Sequence, residues 1–295
     1  MKIKIPAAVA VISALGAAAL FIPPTDAPAT TGRPGVVAPI ETVSVAPGHF
    51  TYHIPGEFLK AGRAVTGPAV EKRQRRGVEI MKYQVSAAEY AACVAENACQ
   101  PADTRAKGDV PVTGVNWRDA VAYAAWLSEK TGETWRLPSD QEWAFAAAER
   151  FGKDASGAEA DDDTNPAARW LAAYRYRADP RERDMQPKPR GHFGLNSNGL
   201  ADLSGNVWEW TDGCYERIRL DAAGRKTEMT VNCGVRVVGG QHRGYMSNFL
   251  RDGKSGGCAA GMAPPDNLGF RLVREKTPAI GMAWLRRIVS PQAKG

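Results

Sequence analysis

An α+β fold with short helices, short strands and much irregular backbone is what this sequence predicts, and three observations carry that prediction. Capped helix starts recur in the first half of the chain. Brief apolar runs punctuated by Gly, Asn, Pro and Arg fill the second half. Eight tryptophans and five cysteines are available to hold long irregular stretches in place.

The helices announce themselves by their first turns, whose free N–H groups need an acceptor. Ser86-Ala-Ala-Glu89 and Ser139-Asp-Gln-Glu142 have the form of capping boxes, and Asn116 with Asp119 is a looser version. The spacing predicts a second helix from Trp117 to about Thr131, with Val121, Ala124 and Leu127 on one face and a stop at Gly132. The third carries Trp143, Ala146 and Ala147 and is expected to stop at Gly152. Val235 to Val238 and Phe270 to Val273 read as short strands.

The chain start reads as an export element. Lys2 and Lys4 precede an apolar, Ala-rich stretch from Ile5 to Ile22 that ends at Pro23-Pro24 and small residues. Residues 1–29 are therefore expected to be a signal peptide or an N-terminal anchor, long enough to span a bilayer if retained. Residues 30–44, rich in Pro, Thr, Gly and Ala, read as a linker, 45–275 as the folded domain and 276–295 as a tail. The location expected is periplasmic or otherwise extracytoplasmic, with membrane contact only through that first segment. Oxidising compartments favour disulfides, so Cys93 is expected to pair with Cys99 and Cys214 with Cys233, leaving Cys258 over.

Composition excludes little else. The formal charge is +6, but basic residues are scattered and interrupted by acidic ones in Glu71 to Arg76 and around Arg175 to Arg190, which reads as a solvated face rather than a nucleic-acid surface. His49 and His53 stand four apart, yet Phe50-Thr51-Tyr52 between them reads as strand and the zinc-protease Glu is missing. Asp161, Asp163 and Asn165 mimic the start of a calcium-binding hand, but Pro166 and Ala172 occupy its turn-glycine and closing-glutamate positions. No Walker loop, dinucleotide fingerprint or nucleophile elbow is found.

The densest segment is Asn198-Gly199-Leu200-Ala201-Asp202-Leu203-Ser204-Gly205-Asn206-Val207-Trp208-Glu209-Trp210. Read as extended from Gly205, it sends Gly205, Val207 and Glu209 one way and Asn206, Trp208 and Trp210 the other. One side then buries indole while the other gathers oxygens, the donors that calcium takes. The alternative is a core aromatic segment whose carboxylates bond to nearby N–H groups.

This segment resembles the G-L-x-D-x-x-G-N-V-W-E-W hallmark of the formylglycine-generating enzyme, or sulfatase-modifying factor, family. Other blocks are similar in the same order: Met81 to Ser86 with Glu89-Tyr90, Pro111 to Trp117 with Asp119-Ala120, Trp135 to Ser139 with Glu142-Trp143, and Asn267-Leu268-Gly269-Phe270-Arg271. The resemblance implies a single domain related to C-type lectins and stabilised by calcium. Carried over, one calcium site falls on the side chains of Asp202 and Glu209 and the carbonyls of Gly205 and Val207. A second falls where Ala168-Arg169-Trp170 has lost the family's Asn, and that ion is not expected.

The same family oxidises a substrate cysteine with a copper ion held by two thiolates in a G-G-S-x-x-C-x-x-x-x-C element, soft ligands suited to Cu(I). Here the element reads Gly239 to Phe249, with Gln241 for the serine and Gly244 and Phe249 at the two cysteine positions. Copper is not expected. What this stretch offers instead is Gln241, His242, Arg243, Tyr245 and Arg251, either a proton carrier and cations for an anionic substrate or structural groups that bridge loops. The expectation is an exported accessory or binding protein with a protein or peptide partner. Cys233-Gly234-Val235-Arg236 and Gly256-Gly257-Cys258 resemble a branch of accessory proteins encoded with copper nitrite reductases. The alternative is a divergent oxidative-maturation enzyme acting on a periplasmic protein or peptide.

Overall fold

All three helix starts are made as the sequence dictates. In α1 (Ala87–Ala95), α2 (Trp117–Thr131) and α3 (Asp140–Ala147) the side chains of Ser86, Asn116 and Ser139 each accept the N–H three residues on, and Glu89, Asp119 and Glu142 accept the return bond. The structure, a computed structural model, describes residues 39–151, 186–240, 243–251 and 267–275, which fall within one compact unit.

Two details of the helices differ from expectation. The buried stripe of α2 is Ala120, Tyr123, Ala124 and Leu127, while Val121 is 38% exposed, because the stripe is set by Tyr123 packing between Tyr90 and Phe270. Helix α3 ends at Ala147, well short of Gly152, and passes into one 3-10 turn, Ala148–Arg150. The Asn196 side chain donates to the carbonyls of Ala146 and Ala147, satisfying the helix end from a distant loop without a glycine.

One sheet runs in the order β1 (Thr42–Val45), β6 (Val78–Met81), β12 (Val273–Arg274) and β7 (Trp135–Arg136). The folded domain thus begins before Val45, inside the stretch expected to be linker. Four residues of alternation are too few to stand out against the Pro- and Thr-rich background. Thr42 and Ser44 turn outward and donate to Glu79 at 2.7 and 2.8 Å, while Val45 is buried. The Thr42 hydroxyl first, then Ser44 and Arg274, outweigh partial burial and hold the Glu79 carboxyl down at about 2. A depressed carboxylate stabilises the fold above its ordinary value and loses that contribution as pH falls through its folded value. Stability is therefore expected to fall from about pH 4.5 to about pH 2 in the wild type and less steeply in Glu79→Gln, as read by thermal melts across that range.

The second sheet is built on a long hairpin, β8 (Trp208–Leu220) with β9 (Lys226–Gly239), in the order β10 (Gly244–Ser247), β9, β8, β3 (Glu57–Lys60), β4 (Arg63–Val65). A short β11 (Leu268–Gly269) lies parallel to the start of β8. Val235 to Val238 is thus the end of a much longer strand. Phe270 to Leu272, expected as strand, is buried irregular backbone, and only Val273 joins the sheet with Arg274. A separate pair joins β2 (Gly48–His53) to β5 (Ala69–Gln74). Both expected disulfides are present, Cys93–Cys99 closing the end of α1 and Cys214–Cys233 bridging the hairpin; Cys258 lies outside the described residues.

The core has two clusters. One gathers α1, α2, Trp210 and Phe270, and the other packs Trp143 and Phe145 of α3 against Ile80, Leu200 and Leu203. The 198–210 segment feeds both.

Candidate functional site

Between Gly205 and Val207 the backbone is not extended. Strand β8 starts at Trp208, and Asp202, Ser204 and Asn206 all have positive φ, at 59°, 59° and 61°. Left-handed backbone at three non-glycine residues is held only where the surroundings over-determine it. Each of the three has its own partner. The Asp202 carboxylate accepts the N–H groups of Gly191 and Phe193 at 2.5 and 2.8 Å. Ser204 donates to the Arg150 carbonyl. Asn206 both accepts from the Lys188 N–H and donates to its carbonyl, at 2.8 and 2.9 Å.

Glu209 is buried beside them, 1% exposed. One carboxylate oxygen accepts from Gln84 Nε2 at 2.8 Å and Arg271 Nη2 at 2.7 Å, and the other from Trp143 Nε1 at 2.8 Å and Arg271 Nε at 2.7 Å. Arg271, fully buried, spends its remaining donors on the carbonyls of Met81, Lys82 and Ala201. Trp210 is also buried, its indole N–H on the Val115 carbonyl. Glu209 on one side and Trp210 on the other are therefore both core, while Trp208 is half-buried.

In the calcium site expected on Asp202, Gly205, Val207 and Glu209, both carboxylates meet N–H donors of the protein. A carboxylate has about four acceptor positions, and all those of Glu209 face N–H donors. Its charge is already matched by Arg271. The sequence carried a signal for this that the expectation did not use: Arg271 sits inside an apolar run, Leu268 to Val273, where a charge must find a partner. Gln84 and Trp143, which complete the set, stand in two of the family-like blocks, but nothing local shows that they meet Glu209.

The cleft candidates are distributed differently from expectation. Gln241 and His242 lie outside the described residues. Arg243 is 5% exposed and grips Asp140, at the start of α3, with a two-pronged ion pair at 3.0 and 2.8 Å, and its third nitrogen donates to the His53 carbonyl. Tyr52 donates to the same carboxylate at 2.6 Å, and burial, then the Asp140 charge, push its phenol far above the usual range. The Tyr245 hydroxyl accepts the Gly56 N–H at 2.5 Å, and its ring meets Tyr215 edge-on. Arg251 donates to the Pro101 carbonyl and to Asp119 in the first turn of α2. The two arginines thus bind the protein itself, as in the structural alternative. Asp140 and Tyr52 were missed because Arg243 lies 103 positions from Asp140 and Asp140 lies 88 positions from Tyr52, beyond any local pattern.

Gly239 and Gly240 precede this stretch for a steric reason. A Cβ on Gly239 would lie 2.7 Å from the Trp143 ring, and one on Gly240 would lie 2.5 Å from Trp208. The chain must run flat across two indoles to reach Gly244, which is buried, and Phe249, which is 63% exposed.

Short capped helices, a curled sheet carrying a long disulfide-bridged hairpin and a Trp-Glu-Trp segment with Glu209 and Trp210 buried make this a C-type-lectin-like domain of the sulfatase-modifying type. The family model described as sulfatase-modifying factor enzyme 1-like domain matches residues 31–276, and the chain belongs to that family. The formylglycine-generating enzyme of Mycobacterium tuberculosis is 38% identical over 116 residues, which are 38% of this chain and 36% of that protein. That of Streptomyces coelicolor is 30% identical over 196 residues, 61% of this chain and 58% of that protein. The inactive C-alpha-formylglycine-generating enzyme 2 of Mus musculus is 34% identical over 121 residues, 38% of this chain and 35% of that protein. The matched part thus spans between about a third and three fifths of these relatives. PvdO from Pseudomonas aeruginosa shares the fold, with a TM-score of 0.50 and 23% identity over 83% of this chain and all of that one.

Proposed function

We propose that this chain is an exported, non-copper member of its family that acts as an accessory protein, holding a protein or peptide partner outside the cytoplasm. The observation that carries the reading is the composition of the stretch Gly239 to Arg251. Gly244 and Phe249 stand at the two positions where copper chemistry needs thiolates. Arg243 and Arg251 are occupied with Asp140, Asp119 and backbone carbonyls. A surface that offers an exposed aromatic at Phe249, and few free charges, suits contact with a polypeptide better than electrostatic capture of a small anion. A related protein named as inactive lends the reading support by analogy.

The test has two arms. Purified protein supplied with Cu(I), oxygen and a cysteine-containing peptide is expected to form no aldehyde and to consume no oxygen, as read by mass spectrometry and an oxygen electrode. Tagged protein recovered from the periplasm is expected to bring down one exported partner in constant ratio. Copper-dependent turnover, or turnover lost in a folded His242→Ala variant, would replace this reading with the alternative, a divergent maturation oxidase.

A further inference from the structure

We propose that Arg271 takes the place of a calcium ion in the 198–210 segment, so that the segment is neutralised and held by protein groups alone. Three features of the geometry point the same way, and none depends on how the cleft is read.

The first is saturation. Arg271 has five N–H donors, and its five contacts are two on Glu209 and one each on the carbonyls of Met81, Lys82 and Ala201. Glu209 has its acceptor positions filled by Gln84, Trp143 and the two bonds from Arg271. A cation reaching Glu209 must displace one of these donors and leave a buried N–H without a partner, which is costly in an interior where the arginine is 0% and the glutamate 1% exposed.

The second is charge. A divalent ion beside Glu209 would face the Arg271 guanidinium at close quarters in a medium that screens poorly. The remaining carboxylate, Asp202, is already stabilised by two backbone N–H groups. The third is the left-handed backbone. An ion that gathers carbonyls could account for the positive φ values of Asp202, Ser204 and Asn206, but each is tied instead to a partner outside the segment: Gly191 and Phe193, Arg150, and Lys188. Among the described residues the one buried side-chain oxygen here without a partner is Gln84 Oε1, a neutral acceptor that adds no charge for a calcium ion.

Thermal melting of the full chain after exhaustive chelation, and again with millimolar calcium, tests this directly. Terbium, a calcium mimic excited through tryptophan, is added in parallel, since Trp208 and Trp210 belong to the segment. The expected result is one melting midpoint in both conditions and a terbium signal no greater than that of Asp202→Asn. Glu209→Gln, which keeps the shape and removes the charge, is expected to melt lower than the wild type by the same margin with and without calcium. A midpoint that drops on chelation, returns with calcium and becomes insensitive in Asp202→Asn would overturn the proposal. Should Glu209→Gln fail to fold, the wild type and Asp202→Asn still decide the matter.

Discussion

Replacing Arg271 by alanine is expected to destabilise this domain by about 3–5 kcal/mol, a large part of what an ordinary domain possesses. The magnitude comes less from the lost attraction than from what is left behind. Glu209 would be left without its counter-ion at 1% exposure, with only Gln84 and Trp143 as donors, and the carbonyls of Met81, Lys82 and Ala201 would lose theirs. Because those carbonyls belong to the end of β6, the segment after it and the 198–210 segment, the damage should spread across the join between the two core clusters. Arg271→Lys is expected to recover little, since an ammonium cannot copy the planar fork that spans both oxygens of Glu209. Removing both charges together, as Arg271→Met with Glu209→Leu, is expected to cost clearly less than the sum of the single changes. Denaturant titration of the four proteins in one cycle checks all of this; additive single costs would show that the two residues do not act as a pair.

Arg243→Ala is expected to have an effect of similar size, about 3–5 kcal/mol, through a different part of the fold. Asp140 is 4% exposed and takes both prongs of Arg243 and the Tyr52 hydroxyl. Without the guanidinium, a buried carboxylate is left with a phenol as its side-chain donor, and the His53 carbonyl loses its bond. The network ties β2, the first turn of α3 and the residue just before β10, so its loss should loosen the stretch Gly244 to Ser247 first. Tyr52→Phe is expected to cost far less, on the order of 1 kcal/mol, because the ion pair survives it. The measurement that matters for function is partner capture at a temperature where the variant is still folded. Undiminished capture with lowered stability marks Arg243 as a structural residue, whereas lost capture at full stability would return it to the binding surface.

Much of this was legible in the sequence because it depends on neighbours. A capping box needs two side chains three residues apart, and Ser86, Asn116 and Ser139 each found theirs. Gly132 closes α2 in the left-handed conformation, with φ 69°, as its lack of a Cβ permits. Cys93 and Cys99 are separated by six positions, close enough for the pairing to be read directly. The fold class and the family followed from the order of motifs along the chain.

Where local reading failed, a distant residue had intervened. Helix α3 stops early because Asn196 reaches its last carbonyls. Strand β1 exists because Glu79 and the rest of its sheet are there to receive Thr42 and Ser44. The long hairpin was hidden because nine consecutive residues from Lys226 are exposed, so they show no apolar alternation.

The segment from Asn198 to Trp210 shows the division most clearly. Its composition, two indoles and two carboxylates among glycines and asparagines, determined by itself that it would be an organised and buried part of the protein. Which groups would answer the carboxylates was decided only in three dimensions. Oxygen ligands for a metal and N–H donors for a buried carboxylate look alike in a sequence, because both are simply an Asp or a Glu. Only the fold brings Arg271 from 62 positions away to settle Glu209 as one half of an ion pair.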